Sequence, residues 1–205
     1  MNMNEDSRAT IQLVALLGAI VLGMMFLRGR TLLAQEAVDR GALMIRLGND
    51  TIVTDRFIRS GDVLQGSTRV KGQVRLDYVV TLGPGDAVRT LSIAVFLPGA
   101  TTDAAPAQRV RVTMQGDTAL AETAAGVQRI PTKSGAIPSM NNMLALAELF
   151  TRRARSAGGT TEIPVLALAG GATLSLGVKP VGADTLVTTL GPQEQRFRVD
   201  ARGRI

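Results

Sequence analysis

Residues Ala9 to Leu27, ATIQLVALLGAIVLGMMFL, form a run of nineteen without a charge, and only Thr10 and Gln12 in it are polar. At a helical rise of about 1.5 Å per residue the run extends roughly 28 Å, close to the hydrocarbon thickness of a bilayer. It predicts a membrane-spanning helix. A cleaved secretory signal would have a shorter apolar core of about 7 to 15 residues, a basic leader and a small-residue cleavage site. Here Glu5 and Asp6 outweigh Arg8 in the leader, and Leu32-Leu33-Ala34 is a poor cleavage site. The expectation is an uncleaved signal anchor, with residues 1–40 as tail, anchor and linker and residues 41–205 as one extramembrane domain. Ala15, Gly18, Ala19 and Gly23 offer small side chains for helix packing within the bilayer, although Gly18 and Leu22 do not complete a GxxxG pair. Arg8 precedes the span while Arg28, Arg30, Arg40 and Arg46 follow it, which by the positive-inside rule would put the domain in the cytoplasm.

Composition narrows the chemistry. The chain of 205 residues has no His, Cys or Trp. This removes the usual zinc sites, thiolate nucleophiles, Ser-His-Asp triads, disulfides and imidazole ligands to haem-like pigments. Lys71, Lys133 and Lys179 fall in no S-x-x-K motif, and there is no Walker A sequence or G-x-G-x-x-G before a helix. Asp50 and Asp55 straddle a turn and a strand, while Asp62, Asp86, Asp117 and Asp184 lie beside glycine or in loops. Turn formation accounts for all of them. The net charge of +6 is almost entirely arginine and by itself names no partner. Five Phe and one Tyr are too few to interleave the arginines as stacking platforms for nucleic acid. The expectation is a non-enzymatic chain with no catalytic residue, no metal and no cofactor bound by recognisable ligands, with pigments or lipids open to it through partner chains.

After Gly41 the pattern changes to short β-branched segments that alternate apolar with polar residues: Ala42 to Leu47, Thr51 to Ile58, Gln73 to Leu82, Val88 to Leu97, Arg109 to Gln115 and Thr118 to Thr123. Strands resume at Ile163 to Ala169, Thr173 to Lys179, Asp184 to Leu190 and Gln195 to Asp200. In Arg109-Val110-Arg111-Val112-Thr113-Met114 the arginines share one face and the apolar residues the other, as in a sheet with one wet and one dry face. Gly48-Asn49-Asp50, Gly116-Asp117 and Gly182-Ala183-Asp184 supply hairpin turns. One segment, Ser139 to Arg155, has a helical apolar stripe of Met140, Met143, Leu144, Leu146, Ala147 and Phe150, closed by Gly158-Gly159. Arg152, Arg153 and Arg155 either complement the end of that helix or offer a patch to a partner or an anionic lipid. The expected fold is mainly β, with about ten antiparallel strands in a curved half-barrel around one helix. A two-sheet sandwich is the alternative.

The stretch GNDTIVTDRFIRSGDVLQG (48–66), the segment from Ile137 to Arg155 and the closing VDARGRI (199–205) together resemble secreted β-rich envelope domains of Gram-negative bacteria. That resemblance spans roughly residues 41–205. It implies an extracytoplasmic domain and brings no catalytic residues with it, so the domain is expected in the periplasm, anchored in the inner membrane, against the flanking charges. The overall plan of one anchor and one β domain without catalytic equipment is also similar to an accessory subunit of a bacterial photosynthetic reaction-centre and light-harvesting supercomplex. This implies integral membrane partners, including reaction-centre and antenna polypeptides, and a bracing role. A periplasmic lipid- or lipoprotein-binding module is the alternative function.

Overall fold

The first half of the domain is a run of hairpins in which each strand pairs with the one before it. In the computed structural model, which describes residues 38–205, strands β1 (Asp39–Leu47), β2 (Asp50–Ser60), β3 (Val63–Val70), β4 (Arg75–Leu82), β5 (Val88–Phe96), β6 (Gln108–Gln115), β7 (Thr118–Thr123) and β8 (Gly126–Pro131) form one antiparallel sheet in sequence order. The second sheet has the order β13-β12-β11-β10-β9, from β9 (Ile137–Ser139), β10 (Thr161–Ala167), β11 (Ala172–Pro180), β12 (Thr185–Leu190) and β13 (Gln193–Arg198). Its pairs are antiparallel except β9 with β10, which run parallel and are connected through helix α1 (Ala147–Ala157). The single curved sheet expected from the alternation is thus replaced by two sheets.

Alternation decides which face is dry. Leu76, Tyr78, Val80 and Leu82 of β4 are buried, as are Leu91 and Ile93 of β5 and Val112 of β6. They join Ile137, Leu146, Leu149, Ala154, Ile163, Val165, Leu176, Val178 and Leu186 in one core that draws on both sheets and α1. The intervening side chains of the eight-stranded sheet, such as Arg56, Gln65, Val79, Arg109 and Arg111, are exposed.

Two expectations on secondary structure are corrected. The helix does not begin at Ser139. Ser139 ends β9, Asn142 takes a left-handed φ of 72°, and the helical path opens only with a 3-10 turn at Leu144–Leu146. Gly158, at φ 71°, closes the helix as expected. β3, β8 and β9 were not foreseen. Gly66 lies in the middle of β3, and a Cβ there would strike its cross-strand partner Tyr78, whose ring covers the glycine. Gly41 and Phe57 repeat this arrangement between β1 and β2. An aromatic ring laid over a strand glycine restores the packing that the glycine lacks.

The expected anchor and its packing residues Ala15, Gly18, Ala19 and Gly23 lie outside the described residues. Among the described residues no helix is long and apolar enough to cross a membrane.

Candidate functional site

Two kinds of polar arrangement stand out, and only one of them faces solvent. The inward one centres on Asp55, which shares its parity along β2 with the buried Val53 and Phe57. Asp55 is fully buried. The Tyr78 hydroxyl donates to its Oδ1 at 2.9 Å, and the Ala145 amide donates to its Oδ2 at 2.7 Å. Burial raises the pKa of Asp55, and the hydrogen bonds from Ala145 and Tyr78 counter only part of that shift. Burial, and then the neighbouring Asp55 charge, likewise raise the Tyr78 hydroxyl. Thr68, the cross-strand partner of Asp55, is also fully buried. Reading Asp55 as a turn former is therefore corrected: it is a core carboxylate that supplies, from a distant strand, the acceptor that the start of the helical segment lacks locally. With both oxygens engaged and no solvent access, its geometry is that of a structural pin.

Arg152, Arg153 and Arg155 lie on α1 and are spent largely on neighbouring loops. Arg153 donates to the carbonyls of Gly135 at 2.5 Å and Asp86 at 2.8 Å, and Arg155 donates to that of Ala183 at 2.6 Å. Arg152 stands 3.8 Å from the Asp86 carboxylate, whose other oxygen takes Arg59 at 2.5 Å. Burial lowers the pKa of Arg153 while Asp86 opposes the shift. These arginines tie α1 to the turn before β5 and to the loops that precede β9 and β12.

The closing segment performs a similar task. Asp200 accepts the amides of Arg202 at 2.8 Å and Arg204 at 3.0 Å and the Arg204 guanidinium at 2.7 Å. The Arg204 bonds hold its pKa at about 2. Gly203, at φ 76°, presses its Cα face on the backbone of Arg152, and its carbonyl accepts the Thr151 hydroxyl at 2.5 Å. The Ile205 amide donates to Glu148, whose pKa is raised chiefly by burial.

The outward arrangement is a trough of about 1170 Å³ on the wet face of the eight-stranded sheet. Register builds it from two adjacent rows. One runs Arg56, Ser67, Asp77, Ala94, Arg109 across β2 to β6, and the next runs Ile58, Gln65, Val79, Ser92, Arg111, Glu122 across β2 to β7. Residues 105–108 and the β7–β8 turn bound it on one side. The floor is made of Ser67, Asp77, Ala94, Val79 and Ser92 with the longer Gln65 among them, and arginines stand at both ends. Asp77 is engaged by the Ser67 hydroxyl at 2.6 Å and by Arg75 at 3.4 Å. Arg56, Arg109 and Arg111 take part in none of the ion pairs seen among the described residues. The alternating arginines of β6 were visible in the sequence. Their alignment with Arg56 was not, because it depends on the register of four strand pairs.

Among the described residues no group of three His, Cys, Asp or Glu could hold a metal ion. No family model and no curated protein matches the chain. One solved structure is similar: the crystal structure of a DUF1089 family protein from Pseudomonas aeruginosa, at 1.80 Å resolution, aligns over 78% of this chain and 92% of its own with a TM-score of 0.55 and 12% sequence identity. The likeness is one of fold.

Proposed function

We propose that the chain is a non-enzymatic, single-pass membrane-anchored accessory subunit whose domain braces a membrane protein complex on the periplasmic side of the inner membrane. The observation that carries this reading is a division of labour in the domain. Its buried carboxylates, Asp55 and Glu148, are committed to holding backbone amides, while the trough on its eight-stranded sheet is an arginine-rimmed face of a size suited to a macromolecule. The complex we have in mind is a photosynthetic reaction-centre and light-harvesting assembly, in which pigment ligation falls to other chains because this one has no histidine.

The test is gentle detergent extraction from the native membrane, followed by gel filtration with absorption spectra and peptide identification. Migration with a large pigmented complex supports the reading. Migration with a large colourless complex keeps the bracing role and removes the photosynthetic one. A free monomer overturns both.

A lipid- or lipoprotein-binding module is the second reading, favoured by an apolar pocket between α1 and the second sheet lined by Phe150, Val165, Leu176, Leu190 and Phe197. At about 150 Å³ it is smaller than the roughly 300 to 1,000 Å³ usual for small-molecule sites, so an acyl chain would have to part the core. Native mass spectrometry decides: lipid co-purifying with the chain favours this module, and its absence removes it.

A further inference from the structure

We infer that the trough on the eight-stranded sheet is the docking site for an acidic helix of a partner protein, laid along the strands between Arg56 on one flank and Arg109 with Arg111 on the other. The inference rests on the accessory-subunit reading and adds to it the surface and the chemistry of the contact.

Spacing supplies the first constraint. Arg56 on β2 and Arg109 on β6 share a row and are four strand spacings apart, which at about 4.8 Å each is about 19 Å. A helix with its side chains is about 10–12 Å across and so fits between them with an arginine along each flank. Ser67, Ser92 and Ala94 let it approach the floor closely, and Val79, 42% exposed at the centre, gives it an apolar contact.

Charge supplies the second. Arg56, Arg109 and Arg111 line the trough together with two carboxylates, Asp77 and Glu122. Asp77 is already held by Ser67 and Arg75, and Glu122 is the cross-strand partner of Arg111. The surplus is positive, so the occupant must be acidic. Arg109 and Arg111 are two residues apart on one face, roughly 7 Å, which matches acidic side chains one helical turn apart at about 5–6 Å.

Other occupants meet specific obstacles. The interior strands of a sheet have their backbone groups paired, so an added β-strand finds no ladder to join there. A single phosphate headgroup cannot reach arginines at both walls. Nucleic acid would want aromatic platforms, whereas Phe96 is covered by the Arg75 guanidinium at 3.9 Å and Tyr78 points into the core. A helix satisfies its own backbone and docks through side chains alone.

The test places a photo-crosslinking amino acid at Ser92 of the full-length chain in its native membrane, with Val181 as the control position. The expected result is one adduct, at Ser92 only, to a partner peptide with Asp or Glu spaced i, i+4. Arg109→Glu with Arg111→Glu should reduce that adduct about tenfold, and Lys179→Glu on the second sheet should leave it unchanged. All three positions are exposed; circular dichroism checks the fold, and Arg109→Gln with Arg111→Gln gives an intermediate loss should the double reversal fold poorly. An adduct to lipid, an adduct to a neutral or basic segment, or indifference to the charge reversal overturns the inference. A chain that still migrates with a large complex but yields no Ser92 adduct overturns this surface and leaves the accessory role standing. A chain that runs alone overturns both.

Discussion

Asp55 joins pieces of chain 90 residues apart, since its partner Ala145 lies in the 3-10 turn that opens the helical segment. Replacing it with alanine strands the Ala145 amide and the Tyr78 hydroxyl inside the core. Each buried orphan costs about 1–3 kcal/mol, so Asp55→Ala should lower the stability of residues 38–205 by about 2–4 kcal/mol in urea unfolding. The ionisation of Asp55 has a sign of its own. Burial raises it above the ordinary aspartate value of 3.8, and Glu148 is raised in the same way. Between the unfolded and the folded pKa the native state therefore holds protons that the unfolded chain has shed, and stability falls as pH rises through that window. Asp55→Asn keeps an acceptor for Ala145 but cannot ionise, so urea midpoints measured across the window should fall less steeply than in the parent. Asp200 acts oppositely. Its pKa is depressed to about 2, so the stability it lends is complete above the ordinary carboxylate range and is lost as pH falls toward that value. Asp200→Asn should remove this acid-side decline from the same titration.

At the scale of elements, the hook of residues 199–205 shows why a recurrent local pattern need not mark chemistry. Asp200 organises the turn, Gly203 allows it to lie against α1, and the Gly203 carbonyl holds Thr151. An alanine at 203 would take a left-handed φ and bring its Cβ 2.8 Å from the Arg152 Cα. Gly203→Ala should therefore loosen the hook, read as faster amide exchange at Arg204 and Ile205 and in the adjoining turn of α1, at a cost of about 1–3 kcal/mol. The stretch 48–66 decomposes in the same way: Asp55 pins the helical segment, Phe57 covers Gly41, Arg59 grips Asp86, Leu64 enters the core and Gly66 receives Tyr78. Most strands were legible because β-branched runs alternated between glycine turns. β3 was not, since Gly66 breaks its pattern and the compensating ring lies on another strand. The helix start was not legible either, because its acceptor comes from β2. Asp55 itself could have been found: it sits two residues from Val53 and two from Phe57, on the dry face. The trough was half-visible, its β6 arginines in the sequence and its opposite wall only in the register.

Across residues 38–205 as a whole, one core serves both sheets. Leu149 of α1 is fully buried in it, together with Val80 and Leu91 of the first sheet and Leu166 and Leu186 of the second. Unfolding should then be a single transition. Leu149→Ala should cost about 2–5 kcal/mol and lower the protection of amides in both sheets together, as read by native-state hydrogen exchange; loss confined to β9–β13 would show that the sheets melt separately. The eight-stranded sheet has a further consequence for anyone who wants to label this protein. Each of its strands borders only its neighbours in sequence, so extra residues at a hairpin tip lengthen one arm and shift no other register. An epitope or fluorophore grafted at Gly116-Asp117 is expected to be carried without disturbing the rows beneath it, whereas the same graft between β9 and α1 would pull on the crossover that aligns the only parallel pair among the described residues.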